Sequence, residues 1–141
     1  MAGVFELRVA WGDCDEAGII FYPNYFYWMD CAYQGLLRRA GLDQRKLIER
    51  FSILATILVG AHAEFRAPAS YEDVISVDAL VSNWGEKSFK ISYKGMRGDV
   101  VIFEGYEMRV WAVRTAEGKI KADVIPGAFK DLLASPHASE G

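Results

Sequence analysis

The feature that most constrains this fold is one long amphipathic helix in a chain whose other segments read mainly as strands. Pro23 suits the first turn of a helix, because an N–H at that position would have no partner within the helix. Gly41 follows two arginines, which is typical of the C-terminal end of a helix. Between these ends, apolar residues recur at spacings of three and four: Phe26, Met29, Tyr33, Leu36, Leu37 and Ala40. One face of a helix of about five turns must therefore be covered by the rest of the chain.

The segments around this helix predict the covering sheet. Period-two alternation and punctuation by Gly, Pro, Asn and Asp predict strands over 5–11, 53–65, 74–82, 88–93 and 100–114, a short strand near 119–124, and short helices over 43–50 and 129–133. Gly35 interrupts the long helix, where we expect another backbone to approach closely. One strand, one long helix and then about four further strands predict an α+β fold, a single domain over 1–141 with an antiparallel sheet around a central helix.

Composition excludes several classes of function. The chain is 52% hydrophobic and 25% charged with a net charge of -3, so it lacks the basic excess of nucleic-acid-binding proteins. No apolar run approaches the roughly 20 residues that cross a bilayer, and the N-terminus has no targeting motif, so we expect a cytoplasmic protein without membrane contact. Cys14 and Cys31 form no CxxC pair and have no matching histidine cluster, so no metal or cofactor is expected. An aromatic content of 13% predicts an oligomer that shares aromatic surface.

The run GDCDEAGIIFYPNYFYWMD, residues 12–30, places two carboxylates just before the helix. Asp13 and Asp15 occupy a glycine-flanked loop, and the N–H groups around Phe21 and Tyr22 carry the positive end of the helix dipole. Such amides could stabilise an oxyanion that develops on a carbonyl substrate. A carboxylate opposite them could attack the carbonyl carbon or activate water. The alternative is that both aspartates only bond loop amides, as in Asx turns.

Three further polar residues could reach a ligand. Asp30 falls within the apolar arc of the helix, so its carboxylate needs a structural donor, a neighbouring subunit or a ligand hydroxyl. Thr56 and His62 occupy even positions of one strand and are predicted to share a face and line the same cavity, although a lone strand histidine is often structural. The remaining charged strand residues are predicted to form cross-strand pairs without a functional role: Glu64, Arg66, Glu104, Glu107 and Arg109.

The same run, followed by FRAPASYEDVISV and NWGEKSF, closely resembles the 4-hydroxybenzoyl-CoA thioesterase family of hot-dog-fold enzymes over nearly the whole chain. The loop signature of an aspartate, Ala-Gly and then aromatic-Pro-Asn-Tyr is shared with short-chain acyl-CoA thioesterases of the same branch. The resemblance implies a hot-dog fold and hydrolysis of an aryl thioester such as 4-hydroxybenzoyl-CoA to the free acid and CoA. The alternatives are a short-chain acyl-CoA or acyl-carrier-protein thioesterase and a non-catalytic acyl-CoA-binding module.

The resemblance also implies roles for individual residues. Asp15 corresponds to the catalytic carboxylate, which acts either as a nucleophile that forms a mixed anhydride or as a general base. The thioester oxygen in that family lies at the amide that corresponds to Tyr22. Asp30 and Thr56 match the residues near the ring hydroxyl, which favours a hydroxyaryl acyl group over a plain alkyl group.

Two further implications concern the carrier and the assembly. Where the hydroxybenzoyl enzyme has a basic cluster for the CoA phosphates, this chain has Gly85 and Glu86 and retains only Lys87, which keeps an acyl-carrier-protein thioester open. Proteins of this family form dimers that pair edge to edge and usually double into tetramers, so a homotetramer is expected. In such a dimer Asp15 would face partner residues near His62.

Overall fold

The structure is a computed structural model, and it describes residues 3–134. Its elements are β1 (Phe5–Arg8), α1 (Pro23–Arg39), α2 (Gln44–Phe51), β2 (Ala55–Phe65), β3 (Val74–Trp84), β4 (Ser88–Arg97), β5 (Val100–Arg114), β6 (Ile120–Ala122) and α3 (Gly127–Ala134). The strands form one antiparallel sheet in the order β1-β3-β4-β5-β2, and β6 pairs with the end of β5. The predicted α+β order is confirmed. β1 ends earlier than predicted because Trp11–Asp13 turns into a short 3-10 helix.

The sheet covers the apolar face of α1, as the periodicity requires. The buried side of the helix consists of Tyr25, Trp28, Met29, Ala32, Tyr33, Leu36 and Leu37, which pack with the inner side chains of the sheet. Gly35 lies where β1 crosses the helix, and a Cβ atom there would collide with the carbonyl oxygen of Val4. The close backbone approach expected at Gly35 is therefore present. No helix within residues 3–134 is long and apolar enough to cross a membrane.

A β-bulge in β2 changes which side chains face the helix. The pairing of β2 with β5 shifts register between Leu58 and Gly60, so one extra residue stands in β2. Because successive side chains of a strand point to opposite faces, one inserted residue reverses the alternation beyond it. Thr56 before the bulge faces α1 and is buried, whereas His62 after it lies on the outer face of the sheet. The prediction that Thr56 and His62 share a face is therefore wrong.

The free edge of the sheet is long and apolar. β2 ends the strand order, and no strand among residues 3–134 pairs with its outer edge. Leu58 and Val59 are 47% and 60% exposed there, and Phe65 at the end of the strand is half exposed. Unpaired N–H and C=O groups beside apolar side chains are a ready template for pairing with another strand.

Candidate active site

The loop before α1 is fixed to the helix start through Asp13. Its carboxylate accepts from the Ala10 N–H at 2.8 Å, and its carbonyl oxygen accepts from the Phe21 N–H at 2.8 Å and from Asn24 Nδ2 at 2.9 Å. On the other side of the loop, the Ile20 N–H donates to the carbonyl of Ala69 at 3.0 Å. The loop between these anchors, which contains Asp15, therefore has a defined position relative to the helix.

Asp15 both bonds a loop amide and borders a cavity, the two interpretations of this carboxylate that the sequence left open. Its Oδ1 accepts from the Ala17 N–H at 2.8 Å in an Asx turn, which Gly18 closes with a φ of 80°. The second carboxylate oxygen accepts from no group in the part of the chain that is described. Asp15 also lines a cavity of about 300 Å³ together with Tyr22, Phe65 and Arg66. One oxygen thus orients the carboxylate, and the other remains for a ligand.

The start of α1 has one amide without a hydrogen-bond partner among the described residues. The Phe21 N–H is committed to Asp13, the Asn24 N–H donates to the carbonyl of Phe21 at 3.0 Å, and Pro23 has no N–H. The Tyr22 N–H has no hydrogen-bond partner among residues 3–134. Of the two amides that the sequence indicated, only the one at Tyr22 is free, and Tyr22 lines the same cavity as Asp15. A carboxylate oxygen and the positive end of a helix therefore border one space.

The cavity has an aromatic wall. Tyr25 stacks on Phe65 with ring centroids 5.1 Å apart and packs on Phe103 at 4.9 Å. Burial raises the pKa of Tyr25 to about 12, so this phenol is neutral at ordinary pH. Asp15 also borders a second cavity of about 510 Å³ that Trp11 and Phe21 line. Asp15 thus borders two cavities with mainly apolar walls, which suits a substrate with a group on each side of the reacting carbon.

Asp30 has a partner that the sequence did not identify. Its side chain is 49% exposed, and Oδ1 accepts from Nη2 of Arg109 at 3.0 Å. Of the three kinds of partner that the sequence left open for this carboxylate, a structural donor is therefore present, so Asp30 does not depend on a substrate for its first hydrogen bond. The second oxygen of Asp30 accepts from no group within residues 3–134 and is available to a ligand.

Arg109 is the centre of a buried polar cluster. Its side chain is 8% exposed, and it donates from Nε to Glu107 at 3.1 Å and from Nη1 to the carbonyl of Thr56 at 3.0 Å. The hydroxyl of Tyr93 donates to the same Glu107 oxygen at 2.7 Å. Burial is the largest influence on Arg109 and opposes its charged form, but Glu107, Tyr33 and Tyr93 together outweigh burial and raise the Arg109 pKa above its ordinary value. Burial, together with Glu107, also raises the pKa of Tyr93.

The sequence predicted cross-strand pairs for Glu107 and Arg109, whereas the two residues pair with each other within β5, and a signal for their burial was present. Both occupy the same alternating positions of β5 as Phe103 and Trp111, which face the core. Period-two alternation alone would have placed two charges among large apolar side chains, where they require each other.

Thr56 lies in the same cluster but is not open to a ligand. It is 3% exposed, and its hydroxyl hydrogen-bonds that of Tyr33 at 2.8 Å. Burial raises the pKa of Tyr33 to about 12, and the guanidinium of Arg109 lies 4.2 Å from the centre of its ring. Thr56 therefore supports Arg109 and Tyr33 from below the surface.

His62 belongs to a separate surface cluster on the outer face. It stacks on Tyr106 at 5.3 Å, and its Nε2 is 3.3 Å from Glu64. Arg66 completes the group with contacts of 3.1 Å to Glu64 and 3.2 Å to Glu104, so this part of the predicted cross-strand pairing is present. The hydrogen bond from His62 and the charge of Arg66 lower the pKa of Glu64. Arg66 borders both this cluster and the Asp15 cavity.

Apart from His62, the predicted site residues fall into two groups at opposite ends of β2. Asp15 and Tyr22 lie at the Phe65 end. Asp30 and Thr56 are joined through Arg109 at the other end. The exposed Lys87 lies at this end too, because its carbonyl accepts from the N–H of Trp111, which pairs with Thr56 between β5 and β2. Thr56 and Phe65 are roughly 30 Å apart along the strand at the rise of an extended chain. One chain therefore does not bring the two groups together.

Comparison with known proteins identifies relatives of the whole chain. A family model described as "Thioesterase-like superfamily" matches residues 9–133. The 4-hydroxybenzoyl-CoA thioesterase of Pseudomonas sp. (strain CBS-3) is 33% identical over 136 residues, which cover 92% of this chain and 95% of that one. Its solved structure superposes with a TM-score of 0.80 at 31% identity and covers 91% of this chain and 96% of that one. A gentisyl-coenzyme A thioesterase structure superposes with a TM-score of 0.77 at 31% identity, over 93% and 98% of the two chains.

Proposed function

The chain belongs to the 4-hydroxybenzoyl-CoA thioesterase family within the thioesterase-like superfamily, and from this membership and its site we propose that it hydrolyses aryl-CoA thioesters. Members of this family have the hot-dog fold and hydrolyse thioesters, and this chain shares both properties. The preferred acyl group that we propose is 4-hydroxybenzoyl, since the relative at 33% identity acts on that thioester. A cytoplasmic location is part of the same proposal, because free CoA thioesters are made and used there.

The observation that carries the mechanism is that Asp15 and Tyr22 line one cavity and that the Tyr22 N–H has no hydrogen-bond partner within residues 3–134. The thioester carbonyl lies between them, with its oxygen at the amide. The free oxygen of Asp15 attacks the carbonyl carbon, or removes a proton from a water molecule that attacks it. Negative charge that develops on the carbonyl oxygen is stabilised by the amide and the helix dipole. On the first route CoA leaves as the thiolate, and water then cleaves the mixed anhydride, which releases the free acid and restores Asp15. On the second route the attacking water expels the CoA thiolate, which takes up the proton held by Asp15, and the free acid forms directly.

A complete site in this proposal needs two chains. Antiparallel pairing of two copies of β2 along their free edges sets the Phe65 end of one strand beside the Ala55 end of the other. Asp15 of one protomer then shares a substrate with Asp30 of its partner, and Lys87 comes from that partner as well. The exposed Leu58 and Val59 of both copies become covered. Two such dimers form the homotetramer that we propose.

The alternative substrates make different predictions at the two ends of the site. A short-chain acyl-CoA would use Asp15 and Tyr22 but leave the carboxylate of Asp30 without a ligand. An acyl-carrier-protein thioester remains an alternative because Lys87 is the only retained residue of the expected phosphate cluster. Binding without catalysis would leave the oriented carboxylate of Asp15 without a function.

The experiment that tests the proposal is thiol release from a panel of 4-hydroxybenzoyl-CoA, gentisyl-CoA, benzoyl-CoA and butyryl-CoA, followed with a colorimetric thiol reagent. We expect the hydroxyaryl substrates to have the highest kcat/KM and Asp15→Asn to lower it by about 100-fold or more. Glu16→Gln is the matched control, since it removes one negative charge from the same loop, and we expect it to retain turnover. Full turnover in Asp15→Asn on every active substrate would disprove the mechanism.

The shared site has its own test at the edge of β2. Val59→Lys places a charge on the free edge and should yield a smaller particle in light scattering with reduced turnover, although Asp15 and Tyr22 are unchanged. Val124→Lys is the control, because Val124 is similarly exposed at 53% but lies outside β2. A wild-type monomer with full activity would refute the two-chain site.

A further inference from the structure

We propose that Arg109 is a positioning residue for substrate selection: it holds Asp30 in a fixed orientation, as an anion, so that Asp30 accepts a hydrogen bond from a neutral donor on the acyl group. This inference rests on the proposed function and names the feature of the substrate that the protein reads. Arg109 itself lies beneath the surface and acts through Asp30.

The geometry of Arg109 leaves its guanidinium little freedom. Three of its nitrogens donate in three directions, to Glu107, to the carbonyl of Thr56 and to Asp30, at 3.0–3.1 Å. The ring of Tyr33 covers one face of the plane. Because a guanidinium is planar and its donors form a rigid fork, fixing two of them on the buried side sets the direction of the third. The direction of the third donor determines where the Asp30 carboxylate lies.

Asp30 is the one charged member of this cluster that reaches solvent to a large extent. Its side chain is 49% exposed, whereas those of Arg109 and Glu107 are 8% and 2% exposed. A half-exposed ion pair contributes little to stability, and burying a guanidinium costs desolvation free energy. Stabilisation of the fold therefore explains the pairing of Arg109 with Asp30 poorly. The cluster instead delivers one oriented carboxylate oxygen, Oδ2, to the surface at the end of β2 that faces the substrate in the two-chain site.

The charge of the cluster defines the ligand chemistry that it selects. One cation stands between two carboxylates, so the cluster carries one net negative charge. It favours an uncharged group that donates a hydrogen bond, such as a phenol or an arylamine. It disfavours an acyl group that carries a carboxylate, and it gains nothing from an ether oxygen, which cannot donate. The exposed Leu58 lies on the same inner face as Arg109 and offers an apolar surface to a ring.

The test compares three acyl-CoA substrates of nearly equal size: 4-hydroxybenzoyl-CoA, 4-methoxybenzoyl-CoA and benzoyl-CoA. In the wild type we expect kcat/KM for the hydroxy substrate to exceed that for each of the others by about 10- to 100-fold, as for a hydrogen bond to a charged group. The double variant Glu107→Gln/Arg109→Met removes the buried cation together with its buried counter-charge, so it remains foldable. We expect its ratios to fall to within about threefold of one, mainly through a higher KM for the hydroxy substrate with kcat retained.

Two further variants separate positioning from a general loss of structure. Arg109→Lys keeps the positive charge without the planar fork, and we expect an intermediate ratio. Tyr93→Phe removes a hydroxyl from the same buried cluster without touching the contact between Arg109 and Asp30, and we expect it to keep the wild-type ratio. A parallel decrease on all three substrates in every variant would overturn the inference, because a purely structural role predicts that result.

Failure of this inference is distinguishable from failure of the proposed function. If Asp30→Ala removes the preference for 4-hydroxybenzoyl-CoA and the double variant keeps it, Asp30 binds the hydroxyl group independently of Arg109. That result overturns the positioning role of Arg109 and leaves the proposed function standing. If the wild type releases no thiol from any aryl-CoA, both proposals fall.

Discussion

Replacing Arg109 by methionine should destabilise the protein far more than removing its visible surface partner. In Arg109→Met the carboxylate of Glu107, 2% exposed, keeps only the hydroxyl of Tyr93 as a donor. A buried charge that loses its partner costs about 3–5 kcal/mol. In Asp30→Asn the affected side chain is 49% exposed and screened by water, so the cost is about 0–1 kcal/mol. The difference between the two variants should therefore exceed about 2 kcal/mol.

The double variant Glu107→Gln/Arg109→Met completes the comparison. The amide oxygen of glutamine still accepts from Tyr93, and no charge remains buried, so the loss should shrink to that of the hydrogen bond to the Thr56 carbonyl, about 1–2 kcal/mol. Urea unfolding followed by tryptophan fluorescence, at one protein concentration because of the expected assembly, measures the free energy of unfolding. The reasoning is refuted if Arg109→Met is no less stable than Asp30→Asn, or if the double variant is as unstable as Arg109→Met.

Three other predictions follow from single contacts. Gly35→Ala should lose about 1–3 kcal/mol of unfolding free energy, since its Cβ meets the carbonyl of Val4, whereas Gly127→Ala, also helical and with open space around it, should lose none; urea midpoints decide this. Burial raises the pKa of Tyr33 from 10.0 to about 12. The stability that comes from keeping this phenol neutral is therefore fully present below pH 10 and is lost as the pH rises towards 12, by up to about 3 kcal/mol. In alkaline unfolding curves, the free energy of unfolding should fall less steeply with pH in Tyr33→Phe than in the wild type. Tyr22→Pro deletes the free amide at a residue whose φ of -57° suits proline, and it should lower kcat by about 100- to 1,000-fold, whereas Tyr22→Ala should retain most of it; equal rates would exclude this amide as the oxyanion donor.

The helix and the loop before it could be predicted from the sequence because their signals are local. Pro23 begins α1, the apolar side chains at spacings of three and four face the sheet, and Gly35 marks the crossing of β1. The loop signature likewise placed Asp15 beside the helix start. The remaining ambiguity, between a ligand-facing and a loop-bonded carboxylate, could not be resolved by spacing, because the two oxygens of Asp15 take different roles.

The interior of the site could not be predicted in the same way because it depends on pairing between strands. The bulge in β2 lies beside Gly60, and a lone glycine within a strand can mark a bulge, but strict alternation ignores this signal and placed Thr56 and His62 on one face. Asp30 and Arg109 are 79 positions apart and meet only through the tertiary fold, so no local pattern connects them. The separation of the predicted residues into two groups likewise follows from the length of β2.

The proline at the start of α1 restricts how a negative charge can settle there. Helix starts commonly present several amides that fan outwards, and an anion can move among them. Here the amides of Phe21, Asn24 and Tyr25 are already engaged with carbonyl oxygens, and position 23 contributes none. Among residues 3–134 only the amide of Tyr22 is left without a partner at this helix start, so in the proposed mechanism a carbonyl that binds it approaches Asp15 from one direction. In that mechanism the backbone sets the direction of approach, and the side chains around the cavity can differ in shape without changing it.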